Sequence, residues 1–138
     1  MDNLLKAFLR SDHAGEVGAV YIYRGILKIA KDPELVSFSK RHLATEESHL
    51  QKIEGVLPKK DRSKLVWLWK VAGFLLGFLP TLFGPKIVFA TIEAVETFVE
   101  EHYEEQQKKK KFYNKVDDKW DYYSGLPNPM YYMDSKTD

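Results

Sequence analysis

One short motif contains the residue types of a metal site. Glu46 and His49 lie three residues apart. In a helix this spacing places a carboxylate and an imidazole on one face, about 60° apart around the axis. Such a pair is half of a site for iron, manganese or zinc. An isolated Glu-x-x-His also fits a surface helix whose charged side chains face water, so the motif needs support from the rest of the chain.

The composition limits the chemistry that such a site can use. The 138 residues include no cysteine, which excludes disulfides, thiolate zinc sites and cysteine nucleophiles. Any metal must therefore be held by carboxylates and histidines. The length suggests one domain, and a net charge of +1 gives no electrostatic case for a nucleic-acid partner. No secretory signal is recognisable in the first residues.

Hydrophobic periodicity predicts three amphipathic helices. The first covers about residues 4–30, the second about residues 33–56 and the third about residues 86–111. Asp32 followed by Pro33 is a typical helix start, so these residues mark the beginning of the second helix. The Glu-x-x-His motif then lies inside the second helix, beside its apolar stripe.

The first helix has an acidic residue among small and apolar neighbours. If Glu16 lies on an inward face, its carboxylate needs a partner. Alternatively, Ser11 or Asp12 caps the helix and Glu16 lies on a polar face near the start, where the helix dipole favours it. Glycines in the same segment lower its helix propensity and predict close approach of a neighbouring helix. These glycines are Gly15, Gly18 and Gly25.

The third helix has glutamates at spacings of three and four residues. They are Glu93, Glu96 and Glu100. Carboxylates on one helix face repel each other, and a bound cation or full solvation relieves the repulsion. We favour a solvated acidic stripe for Glu93 and Glu100. Glu96 is the stronger ligand candidate, because it follows an apolar run in which Glu93 is the one charged residue.

Residues 66–85 form an apolar segment that is too short and too rich in glycine and proline to span a membrane as one helix. Trp67 and Trp69 lie close to several lysines, an arrangement typical of a membrane-surface anchor. A buried helix of a soluble bundle is the alternative. We therefore expect an all-α fold with an apolar helical segment that associates with a membrane or lies inside the bundle.

The acidic candidates fall one to a helix, and this distribution is typical of a particular metal centre. Carboxylate-bridged di-iron bundles take one Glu from each of two helices and Glu-x-x-His from each of the other two. Here Glu16, the pair Glu46 and His49, and Glu96 supply three of these four contributions. The arrangement predicts a di-iron helical bundle.

Four segments closely resemble signature motifs of the demethoxyubiquinone hydroxylase family, whose members are ferritin-like, membrane-associated di-iron proteins of ubiquinone biosynthesis. The segments are DHAGEVGA at residues 12–19 with IY at 22–23, EESHL at 46–50, WKVAGFLLG at 69–77, and AVE at 94–96 followed by EHY at 101–103. They occur in the family's order and cover roughly residues 9–107, which makes the resemblance specific.

The resemblance implies a ferritin-like helical bundle that holds two iron ions. It also implies a reaction in which dioxygen and reducing equivalents from NADH hydroxylate the ring of a demethoxyubiquinol. The implied metal ligands are Glu16, Glu46, His49 and Glu96. His102 and Tyr103 match a family position beside the site and are the catalytic candidates, with a redox relay and plain helix packing both open.

The same resemblance implies partners and a location. The partners are a quinone lipid, dioxygen, a membrane surface, and a ubiquinone-biosynthesis complex or a second copy of the chain, with no nucleic acid. The apolar segment 66–85 would let the polyprenyl tail of the quinone enter from the bilayer. The implied location is peripheral, on the cytoplasmic side of a bacterial inner membrane or the matrix side of the mitochondrial inner membrane.

The C-terminal part departs from the family pattern. The family has a fourth core helix with a second Glu-x-x-His, whereas no glutamate follows Glu105 and no histidine follows His102. We therefore expect a ferritin-like domain over residues 1–111, incomplete at the C-terminus, and a divergent, irregular tail over residues 112–138. Three explanations for the missing motif are open. The C-terminus is truncated or frame-shifted, another chain completes the site, or the protein no longer hydroxylates. In the last case the chain is a catalytically degenerate relative that binds quinone or membrane, or docks to a complex.

Overall fold

The computed structural model describes residues 3–116, and the side chains of residues 3–109. The elements are α1 (Asn3–Ile29), α2 (Pro33–Val56), a short 3-10 turn (Lys59–Asp61), α3 (Val66–Thr81) and α4 (Pro85–Val116). This part of the chain has no strand, so the predicted all-α, ferritin-like helical fold is confirmed. It forms two compact units that divide between Ile92 and Glu93.

α1 is one unbroken helix, which confirms the predicted helix over about residues 4–30 and rules out the alternative start at Ser11 or Asp12. The apolar stripe already begins at Leu5 and continues through Leu9, and both side chains are buried. Asp12 lies in the middle of the helix and is only 1% exposed, so it cannot serve as a solvent-facing N-cap. The alternative placement of Glu16 on a polar face near the helix start is therefore wrong, because Glu16 is also buried.

α2 begins where Asp32 and Pro33 predict. The Asp32 carboxylate accepts a hydrogen bond from the backbone N–H of Leu35 at 2.9 Å, and Pro33 occupies the first turn. At the other end, Arg62 donates to the carbonyls of Glu54 and Leu57, both at 3.1 Å. These bonds satisfy carbonyls that the end of a helix leaves without intrahelical partners. They also fix the loop that follows α2.

α1 packs antiparallel to α2 and parallel to α3. His13 of α1 contacts Glu54, late in α2, whereas Tyr23, further along α1, contacts Phe38 and His42 near the start of α2. Along α1 and α3 the contacting residue numbers rise together. The pairs are Gly18 with Trp69 and Gly73, Ile22 with Gly77, and Gly25 with Phe74 and Phe78. The three helices therefore run up, down and up.

The contact between α1 and α3 is backbone against backbone. A Cβ placed on Gly73 would overlap the carbonyl oxygen of Gly18, and one on Gly77 would overlap that of Ile22. The predicted close approach is confirmed for Gly18, which faces the Trp69 ring and the Gly73 backbone. It is confirmed for Gly25 as well, where a Cβ would overlap a carbonyl oxygen of α3. It is wrong for Gly15, which has nothing within 4 Å of its Cβ position.

α3 presents most of its large apolar side chains to solvent. Its only buried residues are Gly73 and Gly77. The exposed side chains include Trp67, Leu68, Trp69, Val71, Leu75, Leu76 and Leu79. Among the described residues α3 is therefore not the ordinary buried helix that we gave as the alternative. No helix in residues 3–116 has both the length and the apolar character needed to cross a membrane.

α4 is longer than predicted. It runs from Pro85 to Val116, so residues 112–116 are helical, whereas we expected an irregular tail from residue 112. The run of lysines before this point explains the difference, because lysine is a good helix former and does not end a helix. The rest of the predicted tail, residues 117–138, lies outside the described residues. The domain boundary at residue 111 stays a prediction.

Candidate metal centre

α1 and α2 bring together three of the four predicted ligands. The His49 Nδ1 atom lies 3.5 Å from a carboxylate oxygen of Glu46 and 3.9 Å from one of Glu16. One ligand atom from each of the three residues lies within 4.8 Å of the other two. Glu46 and His49 are one helical turn apart on α2, so only Glu16 had to be supplied by tertiary packing.

The cluster is largely removed from water. The side chains of Glu16 and His49 are 6% and 5% exposed, and that of Glu46 is 20% exposed. Ionised carboxylates are placed in such surroundings only at a cost, unless a cation or hydrogen bonds compensate them. Two carboxylates facing one imidazole give the cluster more negative than positive groups.

The donor set fits a bound metal ion. Ligand atoms that bind one ion at about 2.1 Å lie roughly 3–4 Å from each other. The 3.5 Å and 3.9 Å separations in the cluster are of this size. Two carboxylates and an imidazole suit iron, manganese or zinc, and the absence of sulfur ligands argues against copper(I).

Glu96 lies on α4 in the second unit and is exposed. Its place as a fourth ligand stays a prediction. Glu93 and Glu100 are exposed too, which fits the favoured interpretation of a solvated acidic stripe.

His102 and Tyr103 lie further along α4 in the second unit. Their rings make an edge contact with centroids 5.5 Å apart, and Tyr103 is 9% exposed. The amide nitrogen of Gln106 lies 3.0 Å from His102 Nε2. This bond orients the imidazole, because the amide donates and the ring nitrogen accepts. A catalytic role for either residue stays a prediction.

Two other polar residues of α2 stand apart from the cluster. Glu47 pairs with Arg24 at 3.7 Å, with both side chains 46% exposed. The His42 ring packs on Phe38 with centroids 4.1 Å apart and also contacts Tyr23. Glu47 is therefore part of a surface ion pair between α1 and α2, and His42 is part of the aromatic packing between the same helices.

A second polar contact between α1 and α2 was missed by the sequence analysis. His13 Nε2 lies 2.9 Å from Glu54 Oε2, and an Arg62 nitrogen lies 3.4 Å from the same oxygen. His13 is 2% exposed. No signal in the sequence identified this contact, because His13 follows three polar residues, 10–12, whose types do not show which side chain faces α2.

The family model of the ubiquinone biosynthesis protein COQ7 matches residues 3–122. A Rhodospirillum rubrum protein named 3-demethoxyubiquinol 3-hydroxylase is 40% identical over 105 residues, covering 74% of this chain and 50% of that protein. A yeast protein named 5-demethoxyubiquinone hydroxylase, mitochondrial, is 36% identical over 104 residues, or 72% of this chain and 44% of that protein.

A Dictyostelium discoideum relative is named NADPH-dependent 3-demethoxyubiquinone 3-hydroxylase, mitochondrial. It is 31% identical over 102 residues, which are 72% of this chain and 47% of that protein. The chain thus spans about half the length of the curated relatives it matches. Every residue of the cluster lies inside the part that the family model matches.

Proposed function

The chain belongs to the ubiquinone biosynthesis protein COQ7 family, and on that premise we propose that it acts as a di-iron monooxygenase that hydroxylates the ring of a demethoxyubiquinol. The observation that supports this most is the convergence of Glu16, Glu46 and His49 in a largely buried cluster. The relatives' names describe this hydroxylation.

In this proposal Glu16, Glu46 and His49 hold iron, and Glu96 is the fourth ligand from this chain. Bound iron would supply the binding and reduction of dioxygen, which side chains cannot perform alone. The chain's own contribution is to orient the ligands from two packed helices and to exclude water. The low exposure of Glu16 and His49 suits that task.

The exposed face of α3 supports the proposed substrate, and the name of a relative supports the proposed reductant. The exposed apolar face of α3 would contact the membrane and the polyprenyl tail of the quinone. We expected NADH as the source of reducing equivalents; since the Dictyostelium relative is named NADPH-dependent, we propose a reduced nicotinamide cofactor, with NADPH to be tested first. A mitochondrial location is proposed from the names of the eukaryotic relatives.

Metal analysis tests the proposal. The full chain would be loaded with ferrous ion without oxygen, desalted and analysed for iron, and then supplied with demethoxyubiquinol, dioxygen and NADPH or NADH. We expect about two irons per functional unit and a hydroxylated product. His49→Ala and Glu46→Ala should lose iron affinity by more than about tenfold, since removing even an outer partner of a ligand costs that much. Glu47→Ala should keep it.

Two results would contradict the proposal. One is a wild-type protein that retains no iron after this treatment. The other is an equal loss of iron in Glu47→Ala, because Glu47 has the same charge and the same helix but pairs with Arg24 at the surface.

A second candidate function is a quinone-binding or membrane-binding protein without catalysis, which docks to a biosynthetic complex or a second copy. It is favoured by a groove of about 490 Å³ along α3. The groove is lined by Ala72, Leu75, Leu76, Leu79, Pro80, Phe83 and Ile87, none of which is a ligand candidate. Two results together would favour this function. The Glu46→Ala variant would still bind quinone, and the wild type would bind iron but form no hydroxylated product.

A further inference from the structure

His13 is a buried histidine with one nitrogen paired and the other not. The ring is 2% exposed, and its Nε2 donates to Glu54 Oε2 at 2.9 Å. With the proton on Nε2, a neutral ring has an acceptor lone pair at Nδ1. Nδ1 is buried and has no hydrogen-bond partner among the described residues. A buried polar atom left in this state calls for a physical or functional explanation.

Glu54 connects this ring to solvent. Its side chain is 37% exposed, in contrast to the 3% of His13. Arg62 lies 3.4 Å from the carboxylate oxygen that accepts from His13, and its other nitrogens bind the Glu54 and Leu57 carbonyls. The guanidinium therefore holds the carboxylate against the imidazole while the rest of the Glu54 side chain reaches water.

The pair lies beside the candidate metal centre. His13 precedes Glu16 by three residues in α1, a spacing that places side chains next to each other on one helix face. Glu54 follows His49 in α2, and α1 and α2 run antiparallel. His13 with Glu54 and Glu16 with His49 are thus successive layers of one helix interface, about 4.5 Å apart along α1 and about 7.5 Å apart along α2.

We propose that His13 and Glu54 form a proton path between the buried metal centre and solvent. This inference rests on the proposed function, because it assumes that Glu16, Glu46 and His49 bind a metal ion. The hydroxylation takes up protons together with electrons, and metal binding releases protons from the ligands. Both processes require protons to cross the protein around a largely dry cluster.

The transfer moves one proton and no electrons. His13 Nδ1 takes a proton that a ligand of the cluster releases, carried by a water molecule because no described group bonds to Nδ1 directly, and the Nε2 proton passes to Glu54 Oε2. The ring is then neutral with its proton on Nδ1. Glu54 releases the proton to water and returns to the carboxylate that Arg62 holds. A passage in the opposite direction restores the original tautomer. Imidazole is suited to this because its two nitrogens exchange protons near neutral pH.

A purely structural role for the pair makes a different prediction. In that case His13 only joins α1 to α2, and a variant whose side chain keeps the hydrogen bond should behave like the wild type. His13→Gln and Glu54→Gln both retain an amide that can pair across the interface, but neither carries a proton through. The matched control is Glu47→Gln, another half-exposed glutamate of α2 that pairs with an arginine.

The test follows metal binding and proton release together. Metal-free full-length protein is mixed with Co²⁺ in a stopped-flow instrument; cobalt absorption reports binding and a pH indicator reports proton release. In the wild type and Glu47→Gln the two signals should rise together. In His13→Gln and Glu54→Gln the proton signal should lag by about tenfold or more, since a positioned proton carrier typically contributes 10²–10⁴ in rate. The double variant should be no slower than either single variant.

Each outcome decides one point. Cobalt binding with coincident signals in both variants would overturn the proton path and leave the metal centre standing. A wild type that binds no Co²⁺ would overturn the metal centre and the path with it. If His13→Gln does not fold, Glu54→Gln decides alone, because its side chain is partly in water and its size is unchanged.

Discussion

At the scale of single residues, Glu16 and Glu46 approach the same imidazole from different helices. The metal-free cluster has two carboxylates for one possible cation, His49, in a site with little access to water. Such an arrangement is expected to lower the stability of the metal-free protein, because excess buried charge is costly. Functional sites commonly show this exchange of stability for activity.

Glu16→Gln tests this expectation. We predict that it raises the free energy of unfolding of the metal-free protein by about 1 kcal/mol, since it removes one buried charge at constant size and leaves the Glu46–His49 contact in place. It should also reduce the stabilisation by metal, which for the wild type is about 2.7 kcal/mol at a hundred times the dissociation constant, to about 1.4 kcal/mol or less if the affinity falls tenfold or more. Urea unfolding with and without Co²⁺ measures both quantities.

The control for that comparison is Glu47→Gln, which should change the metal-free stability by less than about 0.5 kcal/mol. A destabilised Glu16→Gln protein that gains as much stability from Co²⁺ as the wild type does would remove Glu16 from the centre.

The residues that could be predicted are those whose chemistry is visible within one helix. Glu46 and His49 share a face by spacing alone, and Glu16 stood out as an acid among small residues. The pairing of His13 with Glu54 could not be predicted, because the two lie 41 residues apart and neither has an unusual local pattern. Contacts between helices depend on how each helix is rotated about its axis and how far it is shifted along its neighbour. The hydrophobic periodicity of a sequence does not determine either quantity.

At the scale of elements, α1 and α3 are in direct backbone contact. Gly73 and Gly77 place the α3 backbone directly on the carbonyls of Gly18 and Ile22. Glycine in α1 predicted a close neighbour, but the identity of that neighbour required the structure. The glycines of α3 are spaced by four residues, which keeps them on one helix face.

Alanine substitution tests the contact. Gly77→Ala should lower the free energy of unfolding by about 1–3 kcal/mol or more, because its Cβ meets backbone atoms of Ile22 that no rotamer change can move. Gly15→Ala is the matched control on α1, since its Cβ position is open. It should raise stability by about 0.5–1 kcal/mol through helix propensity.

Thermal and urea unfolding of both variants measure the difference. Equal effects of Gly77→Ala and Gly15→Ala would mean that α1 and α3 do not approach as closely as described.

At the scale of the whole molecule, the apolar face of α3 is the largest feature without a partner among the described residues. Trp67 is 61% exposed and Phe83 is 77% exposed. Exposed apolar surface of this extent marks an interaction site. Lys64, Lys70 and Lys86, all exposed, lie close to it in the chain and would favour an anionic lipid surface.

Vesicle binding tests this face. The full chain should sediment with vesicles of phosphatidylcholine and phosphatidylglycerol, and in a Trp120→Phe background the fluorescence of the two remaining tryptophans, Trp67 and Trp69, should shift to the blue. Leu75→Glu and Leu79→Glu should each weaken binding by more than about tenfold, because an inserted leucine contributes roughly 1.5–3 kcal/mol. Gln51→Glu, an equal charge change at an exposed position of α2, should not.

Failure of the wild type to bind these vesicles, with no fluorescence shift, would remove the membrane from the proposed function. Binding that is unchanged in Leu75→Glu would move it to another surface.

The parallel arrangement of α1 and α3 also has a consequence for the order in which the molecule folds. Tyr23 meets Phe38 and His42 across a short link, whereas all of α2 and its following loop lie between Gly25 and its α3 neighbour Phe74. Local contacts form faster than distant ones. The α1–α2 hairpin, which holds Glu16, Glu46 and His49, is thus expected to form before α3 docks. During synthesis these ligands can meet a metal ion before the apolar helix has left the ribosome.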